Sequence, residues 1–338
     1  MPHDLLIPTD RGLYCEAGGF YIDPWRSVDR AVITHAHTDH AHWGCGHYLA
    51  TETCAPILRA RLGQNISLQA LAYSQPLVIN DVTLTFHPAG HVLGSAQIRL
   101  QHRSGTWLVS GDYKLQRDPT AEPFEHVRAD VFITESTFGL PIFRWPDPAE
   151  VVRDVNRWWA ANIEQSRTSI IYAYSLGKAQ RILAALDQSL GPILIHGSLA
   201  KINPCYEAAG IRLPRTHPAN NDEAGRFKGK AIVIAPPGTE HPTWLRKFGV
   251  SSTATASGWM RIRGTRRRLA TDRGFVLSDH ADWPDLLRAI DATGAARIGI
   301  THGSTETLCR WLREQGRDAF IVPTRYTGEQ EAPEPPPT

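Results

Sequence analysis

The first part of the chain shows the short apolar runs that are typical of β-strands. GGFYIDP, RAVITHAH and ADVFITES are rich in β-branched and aromatic residues, and DVTLTFHPAGH alternates apolar with polar positions until Pro88. Within SAQIRLQHRSGTWLVSGD, Ser104 and Gly105 separate two such runs, which is the pattern of a β-hairpin. These patterns predict a β-rich first half.

The pattern changes near residue 147. In DPAEVVRDVNRWWAANIEQ the apolar residues recur at helical spacing, with Asp147 in position to cap the helix and Pro148 in its first turn. Strand-like and helix-like segments then alternate as far as AFIVP, which predicts a parallel sheet flanked by helices. The outline is a β-rich first half, an α/β middle and an α/β end.

The composition is that of a folded protein with a substantial core. Of 338 residues, 42% are hydrophobic, which suffices for one large domain or two ordinary ones. The formal net charge is only +2, so any argument for a nucleic-acid partner has to come from local clusters of charge. The proline-rich, acidic residues 328–338 are expected to form a disordered tail.

Several features predict a cytoplasmic protein that makes no contact with a membrane. The chain starts without a basic segment followed by an apolar run, and no apolar stretch approaches the ~20 residues of a membrane helix. Its five cysteines are scattered, and none forms a C-x-x-C pair. This indicates reduced thiols rather than a disulfide framework or a thiolate zinc site.

The segment THAHTDHAHWG, residues 34–44, places four histidines and one aspartate close together. Alternate side chains of an extended strand share a face, so His35 and His37 can bind one ion together. Asp39 and His40 come just past the strand end, where a turn can direct them to a second ion. Imidazole and carboxylate ligands suit zinc, with manganese as the harder alternative.

Three further residues that could complete such a site each follow a predicted strand. His91 comes directly after a strand that proline and glycine interrupt. Asp112 lies at the end of TWLVSGD, and His302 at the end of the strand in ARIGITHG. A carboxylate bridges two ions more readily than a neutral imidazole does, which makes Asp112 the candidate bridge. Together with the cluster at residues 34–44, these residues complete two shells of four ligands.

These motifs resemble those of a known family. THAHTDH, GHVLGS and SGD are similar to the metal motifs of the metallo-β-lactamase fold, and TESTFG, LSDHADW and THG to three further motifs of its β-CASP branch, which contains nucleases. SGWMRIRGTRRRLATDRGFVLSDHADW resembles most closely a bacterial subgroup, the DNA ligase-associated exonucleases. The resemblance covers residues ~10 to ~325, nearly everything except the tail.

Carried over position by position, the resemblance implies a centre with two Zn²⁺ ions, or with Mn²⁺ in their place. The ligands of the first ion would be His35, His37 and His91, those of the second Asp39, His40 and His302, and Asp112 would bridge both. Asp23, in YIDPW, matches an aspartate that orients ligands from behind.

The resemblance also implies the architecture, which is an α/β fold. Residues 1–140 and 276–327 would together form a metallo-β-lactamase αββα sandwich, and an α/β β-CASP domain at residues 141–275 would be inserted between them. The change of pattern near residue 147 agrees with such an insertion.

The implied chemistry is hydrolysis of a phosphodiester. Two ions about 3.5–4 Å apart form a clamp for in-line attack by a hydroxide held between them, and Asp39 would hydrogen-bond this nucleophile. His280, in LSDHADW, is the candidate general acid, and the resemblance pairs it with Glu135 of TESTFG. A neighbouring carboxylate favours the protonated imidazole, and a salt-bridge role for Glu135 is compatible with orienting His280.

Candidate nucleic-acid contacts lie in the middle of the chain. The arginines of one basic stretch are Arg261, Arg263, Arg266, Arg267, Arg268 and Arg273. They lead into the His280 loop and predict phosphate contacts, the alternative being a solvated edge strand. Ser175, Lys178 and the backbone amides of YAYSLGKAQ could bind a terminal phosphate, with helix capping by Ser175 as the equal alternative.

The favoured interpretation is a DNA exonuclease that acts in DNA repair, and the name of the subgroup implies a functional association with a DNA ligase and a helicase. An RNase of the same branch uses the same chemistry, and no sequence feature separates the two firmly. A glyoxalase-type ester hydrolase is disfavoured because such enzymes lack the inserted domain. A non-catalytic nucleic-acid-binding scaffold is disfavoured because the predicted ligand set is intact.

Overall fold

The structure, a computed structural model, describes residues 4–268 and 271–325, without the side chains of Arg266 and Arg267. The predicted tail at residues 328–338 lies outside the described residues. The chain divides into two compact units, one made of Met1–Phe143 with His280–Thr338 and the other of Arg144–Asp279. In sequence, the second unit therefore interrupts the first.

Strands and helices are numbered in chain order. The described strands are β1 (Leu6–Pro8), β2 (Leu13–Cys15), β3 (Phe20–Ile22), β4 (Arg30–Val32), β5 (His47–Thr51), β6 (Leu68–Leu71), β7 (Leu77–Ile79), β8 (Val82–Pro88), β9 (Ala96–His102), β10 (Gly105–Val109), β11 (Val131–Ser136), β12 (Thr168–Tyr172), β13 (Ile193–Ile195), β14 (His217–Pro218), β15 (Ile232–Ala235), β16 (Ser251–Ala256), β17 (Arg273–Phe275), β18 (Arg297–Gly303) and β19 (Asp318–Ile321). The described α-helices are α1 (Ala55–Leu62), α2 (Pro148–Glu164), α3 (Lys178–Ala185), α4 (Gly197–Ala208), α5 (Asn221–Arg226), α6 (Pro242–Leu245), α7 (Arg263–Arg268), α8 (Trp283–Thr293) and α9 (Thr305–Glu314).

The first unit contains two mixed sheets. One has the order β1-β2-β3-β4-β5-β6, and the other has the order β19-β18-β11-β10-β9-β8-β7. In the second sheet β8, β9 and β10 pair antiparallel, whereas β10, β11, β18 and β19 pair parallel. The predicted hairpin is confirmed as β9–β10, with Gly105 opposite His102.

The second sheet of this unit is buried on both faces. Val109 and Ile133 join a core with Phe20 and Ile22 of the first sheet, so apolar side chains fill the space between the two sheets. The neighbouring positions along the same strands point the other way and pack with residues of α8 and α9, Leu286 and Leu308 among them. Burial on both faces explains why VFITES reads as a nearly continuous apolar run.

The second unit is an α/β unit around a parallel sheet. Its strand order is β14-β13-β15-β12-β16-β17, and every described pairing in it is parallel. Alternate residues of the central strands pack into two different apolar clusters, Ile171 into one and Ile170 into the other. The parallel sheet that the strand–helix alternation after residue 147 predicts is therefore confirmed.

Local signals in this unit also behave as the sequence indicates. Asp147 caps α2 by accepting a hydrogen bond from the backbone N–H of Ala149 at 2.9 Å, and Pro148 stands in the first turn. Of the apolar positions that predicted the helix, Val151, Val155 and Trp159 are buried. Across the described part of the chain, none of the helices has the length and apolar character that a bilayer crossing requires.

Candidate metal centre

The candidate ligands collect at one edge of the first unit because of its strand directions. β10, β11 and β18 are neighbours and run parallel, so their carboxyl ends lie side by side. Asp112 follows β10, Glu135 lies at the end of β11, and His302 lies near the end of β18. The segment after β4 contributes the HAHTDH residues.

One group of possible ligands comprises His35, His37, His91 and Asp112. The Nε2 atoms of His35 and His91 each lie 3.0 Å from Nδ1 of His37. The same two Nε2 atoms lie 3.6 and 3.9 Å from Oδ2 of Asp112. Ligand atoms around a small divalent cation are about 3–4 Å apart, so these separations suit a single bound cation.

A second group shares Asp112 and adds Asp39 and His40. Nε2 of His40 lies 3.3 Å from Oδ2 of Asp112 and 3.7 Å from Oδ2 of Asp39. Among the described residues, neither Nε2 of His40 nor Oδ1 of Asp112 has a hydrogen-bond partner, although both atoms are buried. Buried polar atoms are normally paired, so these two fit the ligands of a cation.

His302 lies beside this second group rather than within it. Its imidazole is stacked on that of His40, with ring centroids 5.0 Å apart and planes inclined by 18°. In the described residues, the groups of converging ligand atoms do not include it. The structure therefore places His302 at the site, in stacking contact with His40. Its predicted role as a metal ligand remains a prediction.

Asp23 lies beside the second group and contacts His40. Its carboxylate accepts a hydrogen bond from Nδ1 of His40 at 2.7 Å and another from the backbone N–H of Thr34 at 2.8 Å. A hydrogen bond at Nδ1 fixes the ring so that Nε2 is the atom available to a metal. Asp23 therefore contacts a candidate ligand without joining either ligand group described here, and its orienting role remains a prediction.

The charges of the centre are set by burial and by close neighbours. Burial, together with the surrounding imidazoles, lowers the pKa of His35 well below its ordinary value. Burial opposes the charge of His40, but nearby carboxylates, Asp112 foremost, raise the pKa of His40 well above its ordinary value. Burial likewise opposes the charge of Asp112, and the positive charges of His40 and His280 outweigh it and lower the pKa of Asp112.

His280 and Glu135 meet next to Asp112, although 145 residues separate them in the chain. Nδ1 of His280 lies 2.9 Å from Oε2 and 3.2 Å from Oε1 of Glu135, and 3.9 Å from Oδ2 of Asp112. Glu135 also accepts a hydrogen bond from the backbone N–H of Tyr113 at 2.8 Å. The predicted pair is therefore present, and the contact of His280 with Asp112 is one that no sequence pattern indicated.

The predicted nucleic-acid contacts lie in the second unit. Arg261, Arg263 and Arg268 are exposed at or near α7, and the side chains of Arg266 and Arg267 lie outside the described residues. Arg273 contacts Asp154 at 3.9 Å.

The polar side chains of the YAYSLGKAQ segment contact other residues of the second unit. Lys178 is fully buried, with its ammonium 4.0 Å from Asp279 and 4.4 Å above the ring of Tyr174. Ser175 donates a hydrogen bond to Ser198 rather than capping α3, whose N-cap is Gly177. Lys178 is thus buried in this structure, and a phosphate contact of Ser175 and Lys178 remains a prediction.

Comparison with known proteins supports the resemblance of the motifs. The chain is 33% identical over 324 residues to a protein of Opitutus terrae named a probable DNA ligase. The matched segment covers 95% of this chain and 31% of that protein. It is 25% identical to the transcription termination factor FttA of Methanosarcina mazei, over 59% of this chain and 37% of that protein. It is also 26% identical to an RNase J-like protein of Methanocaldococcus jannaschii, over 54% of this chain and 50% of that protein.

The chain belongs to the β-CASP branch of the metallo-β-lactamase fold. As a β-CASP protein, it has His/Asp clusters that could hold divalent metal. It spans about a third of the length of the first relatives that it matches.

Two other comparisons concern family models and the fold. A scan against protein-family models finds no match. A solved structure of a protein of unknown function from Enterococcus faecalis V583 superimposes with a TM-score of 0.59 and 15% identity, over 89% of this chain and 80% of that one. At this identity the match concerns the fold of the β-CASP protein alone.

Proposed function

We propose that this chain is a metal-dependent DNA exonuclease that hydrolyses phosphodiester bonds in DNA repair or end processing. The observation that carries the proposal is the shared position of Asp112, which joins the two ligand groups and also contacts His280. A carboxylate between two cation positions, with an imidazole–carboxylate pair beside it, suits the hydrolysis of a phosphodiester.

In this proposal seven residues hold the cations. They are His35, His37, His91, Asp39, His40, His302 and Asp112. When bound, two divalent ions, zinc or manganese, would activate water and stabilise the charge that develops on the phosphate oxygens. The chain also supplies Asp39, whose carboxylate, only 13% exposed, would accept a hydrogen bond from the attacking water.

His280 would donate the proton that the leaving oxygen needs. Glu135 lies against Nδ1 of His280, and a carboxylate at that position favours the protonated ring. Phe138 packs edge-to-face against the same imidazole at 5.8 Å, which helps to hold its orientation. The pair is almost entirely buried, so solvent competes little for the proton.

The remaining parts of the proposal concern substrate, architecture and partners. Arg261, Arg263 and Arg268, with Arg266 and Arg267, would contact phosphates. The first unit would be the αββα sandwich and the second the inserted β-CASP domain. A relative that matches 95% of this chain is named a probable DNA ligase. We therefore also propose a functional association with a DNA ligase, and we propose a helicase as a further partner.

RNA is the second candidate substrate, and specific relatives favour it. The chain is 31% identical over 155 residues to a protein of Gibberella zeae named endoribonuclease YSH1, and an RNase J-like protein is among its other relatives. Hydrolysis of RNA would use the same residues, because the reacting group in both polymers is a phosphodiester.

Digestion of matched DNA and RNA strands tests the proposal. Strands labelled at the 5′ or the 3′ end would be incubated with added zinc, manganese or chelator. We expect stepwise shortening of DNA that depends on metal and is absent in Asp112→Ala. Faster cleavage of RNA would replace DNA as the substrate, and cleavage that persists in chelator and in Asp112→Ala would refute the metal-dependent activity.

A further inference from the structure

We infer that Thr34 is a positioning residue for both cation positions, because its hydroxyl links Asp23 to His35 while Asp23 holds His40. This inference rests on the proposed function only in that both take His35 and His40 as metal ligands. Thr34 binds no metal itself, and it lies directly before the first ligand in the sequence.

The contacts of Thr34 form a chain of hydrogen bonds. Its Oγ1 donates to Oδ2 of Asp23 and lies 3.1 Å from Nδ1 of His35. The same Oδ2 of Asp23 accepts the bond from Nδ1 of His40. One carboxylate and one hydroxyl therefore meet the Nδ1 atoms of two imidazoles that belong to different ligand groups.

The direction of these bonds follows from the chemistry of the donors. An ionised carboxylate only accepts, so the hydroxyl hydrogen of Thr34 points to Asp23, and Oγ1 is left to accept. Nδ1 of His35 must then carry the hydrogen, and the lone pair of that ring is on Nε2. Nε2 of His35 lies 3.0 Å from Nδ1 of His37 and 3.6 Å from Oδ2 of Asp112, so it is the atom that faces the first ligand group.

Packing holds the hydroxyl in this position. Thr34 is 1% exposed, and a Cβ placed on Gly111 would lie 2.6 Å from Cβ of Thr34 and 2.8 Å from its Oγ1. Gly111 also has a φ of +56°, so glycine is favoured there both by space and by backbone conformation. Because Gly111 precedes Asp112, Thr34 also lies against the turn that places the shared carboxylate.

Zinc titration of substituted proteins tests this role without any nucleic acid. Thr34→Val keeps the shape of the side chain and removes the acceptor for His35, and Thr34→Ser keeps the hydroxyl. We expect Thr34→Val to weaken zinc binding roughly 10- to 100-fold in competition with a chelator, and Thr34→Ser to remain near the unsubstituted protein. Thr293→Val is the matched control, because it removes another buried hydroxyl, bonded to the carbonyl of Ile290 at 2.7 Å.

Unchanged zinc affinity in a folded Thr34→Val would overturn the inference, as would equal losses in Thr34→Val and Thr34→Ser. Should Thr34→Val fail to fold, nitrogen NMR of the zinc-loaded, unsubstituted protein tests the same point. We expect His35 and His40 to carry hydrogen on Nδ1, and ligation through Nδ1 of His35 would refute the role of Thr34. A protein that binds zinc as expected but digests no strand would contradict the proposed function and leave this inference standing.

Discussion

Asp112 is the residue on which the candidate centre depends most. Its side chain is 6% exposed, it belongs to both ligand groups, and one of its carboxylate oxygens has no hydrogen-bond partner among the described residues. A buried carboxylate is costly unless positive charge compensates it. His40 and His280 supply part of that compensation, and bound cations would supply the rest.

Substitution of His280 separates proton transfer from metal binding. We expect His280→Ala to keep the bound metal and to slow cleavage by roughly 10²- to 10⁴-fold, because the leaving oxygen loses its proton donor. Metal content per chain and single-turnover rates would be measured on the same preparation.

Glu135→Gln is the companion variant, since it keeps the shape at Nδ1 of His280 and removes the charge. We expect a smaller loss of rate than in His280→Ala, with a changed dependence of rate on pH. Full activity of His280→Ala would show that another group protonates the leaving oxygen.

At the scale of single residues, the sequence indicated the candidate residues better than it indicated which side chains contact one another. The motifs selected five candidate residues, and their roles as ligands or as an orienting residue remain predictions. These residues are His35, His37, Asp39, His40 and Asp23. The motifs did not predict that Thr34 would link two of these side chains, although a hydroxyl directly before a ligand histidine was a usable signal. Nor did they show that Lys178 is buried, because burial depends on segments that are distant in the chain.

At the scale of elements, helix α2 shows how far local signals reach. Its N-cap, its proline and its apolar stripe are all encoded within a few residues of one another. The ends of β10, β11 and β18 behave differently, because their alignment depends on pairing between strands as far apart in the chain as Val131 and Arg297, about 166 residues. Sequence showed that Asp112 and His302 each end a strand, and pairing alone made those ends neighbours.

The cap of α2 provides a test at this scale. We expect Asp147→Ala to lower the free energy of unfolding by about 1 kcal/mol, because the N–H of Ala149 loses its acceptor. Urea unfolding followed by circular dichroism would measure the change. Asp147→Asn should lose much less, since the amide oxygen can still accept, and an equal loss in both variants would show that charge rather than capping matters.

At the scale of the whole molecule, metal binding should be visible as stability. A ligand at 100 times its dissociation constant stabilises the folded state by about 2.7 kcal/mol, so added zinc should raise the melting temperature by on the order of 5 °C. Chelator should reverse the change, and Asp112→Ala should show none of it. A melting temperature that zinc leaves unchanged in the metal-free protein would contradict the candidate centre.

The same measurement has a predicted dependence on pH. Nearby carboxylates, Asp112 foremost, raise the pKa of His40 well above its ordinary value in the metal-free protein, so the ring keeps its second proton to a higher pH than a free imidazole does. Zinc has to displace that proton, and the displacement becomes easier as the pH rises. The stabilisation by zinc should therefore be larger at about pH 8 than at about pH 6.

The sequence by itself determined the local features of this protein: the strand and helix periods, the helix cap, and the types and spacing of the candidate ligands. These features depend on residues within a few positions of one another, and their physical causes act over one turn or one strand. Only the tertiary structure decided which distant side chains meet. His91, Asp112, Glu135 and His280 come together because sheet pairing and core packing fix the positions of their strand ends and loops, and no local pattern carries that information.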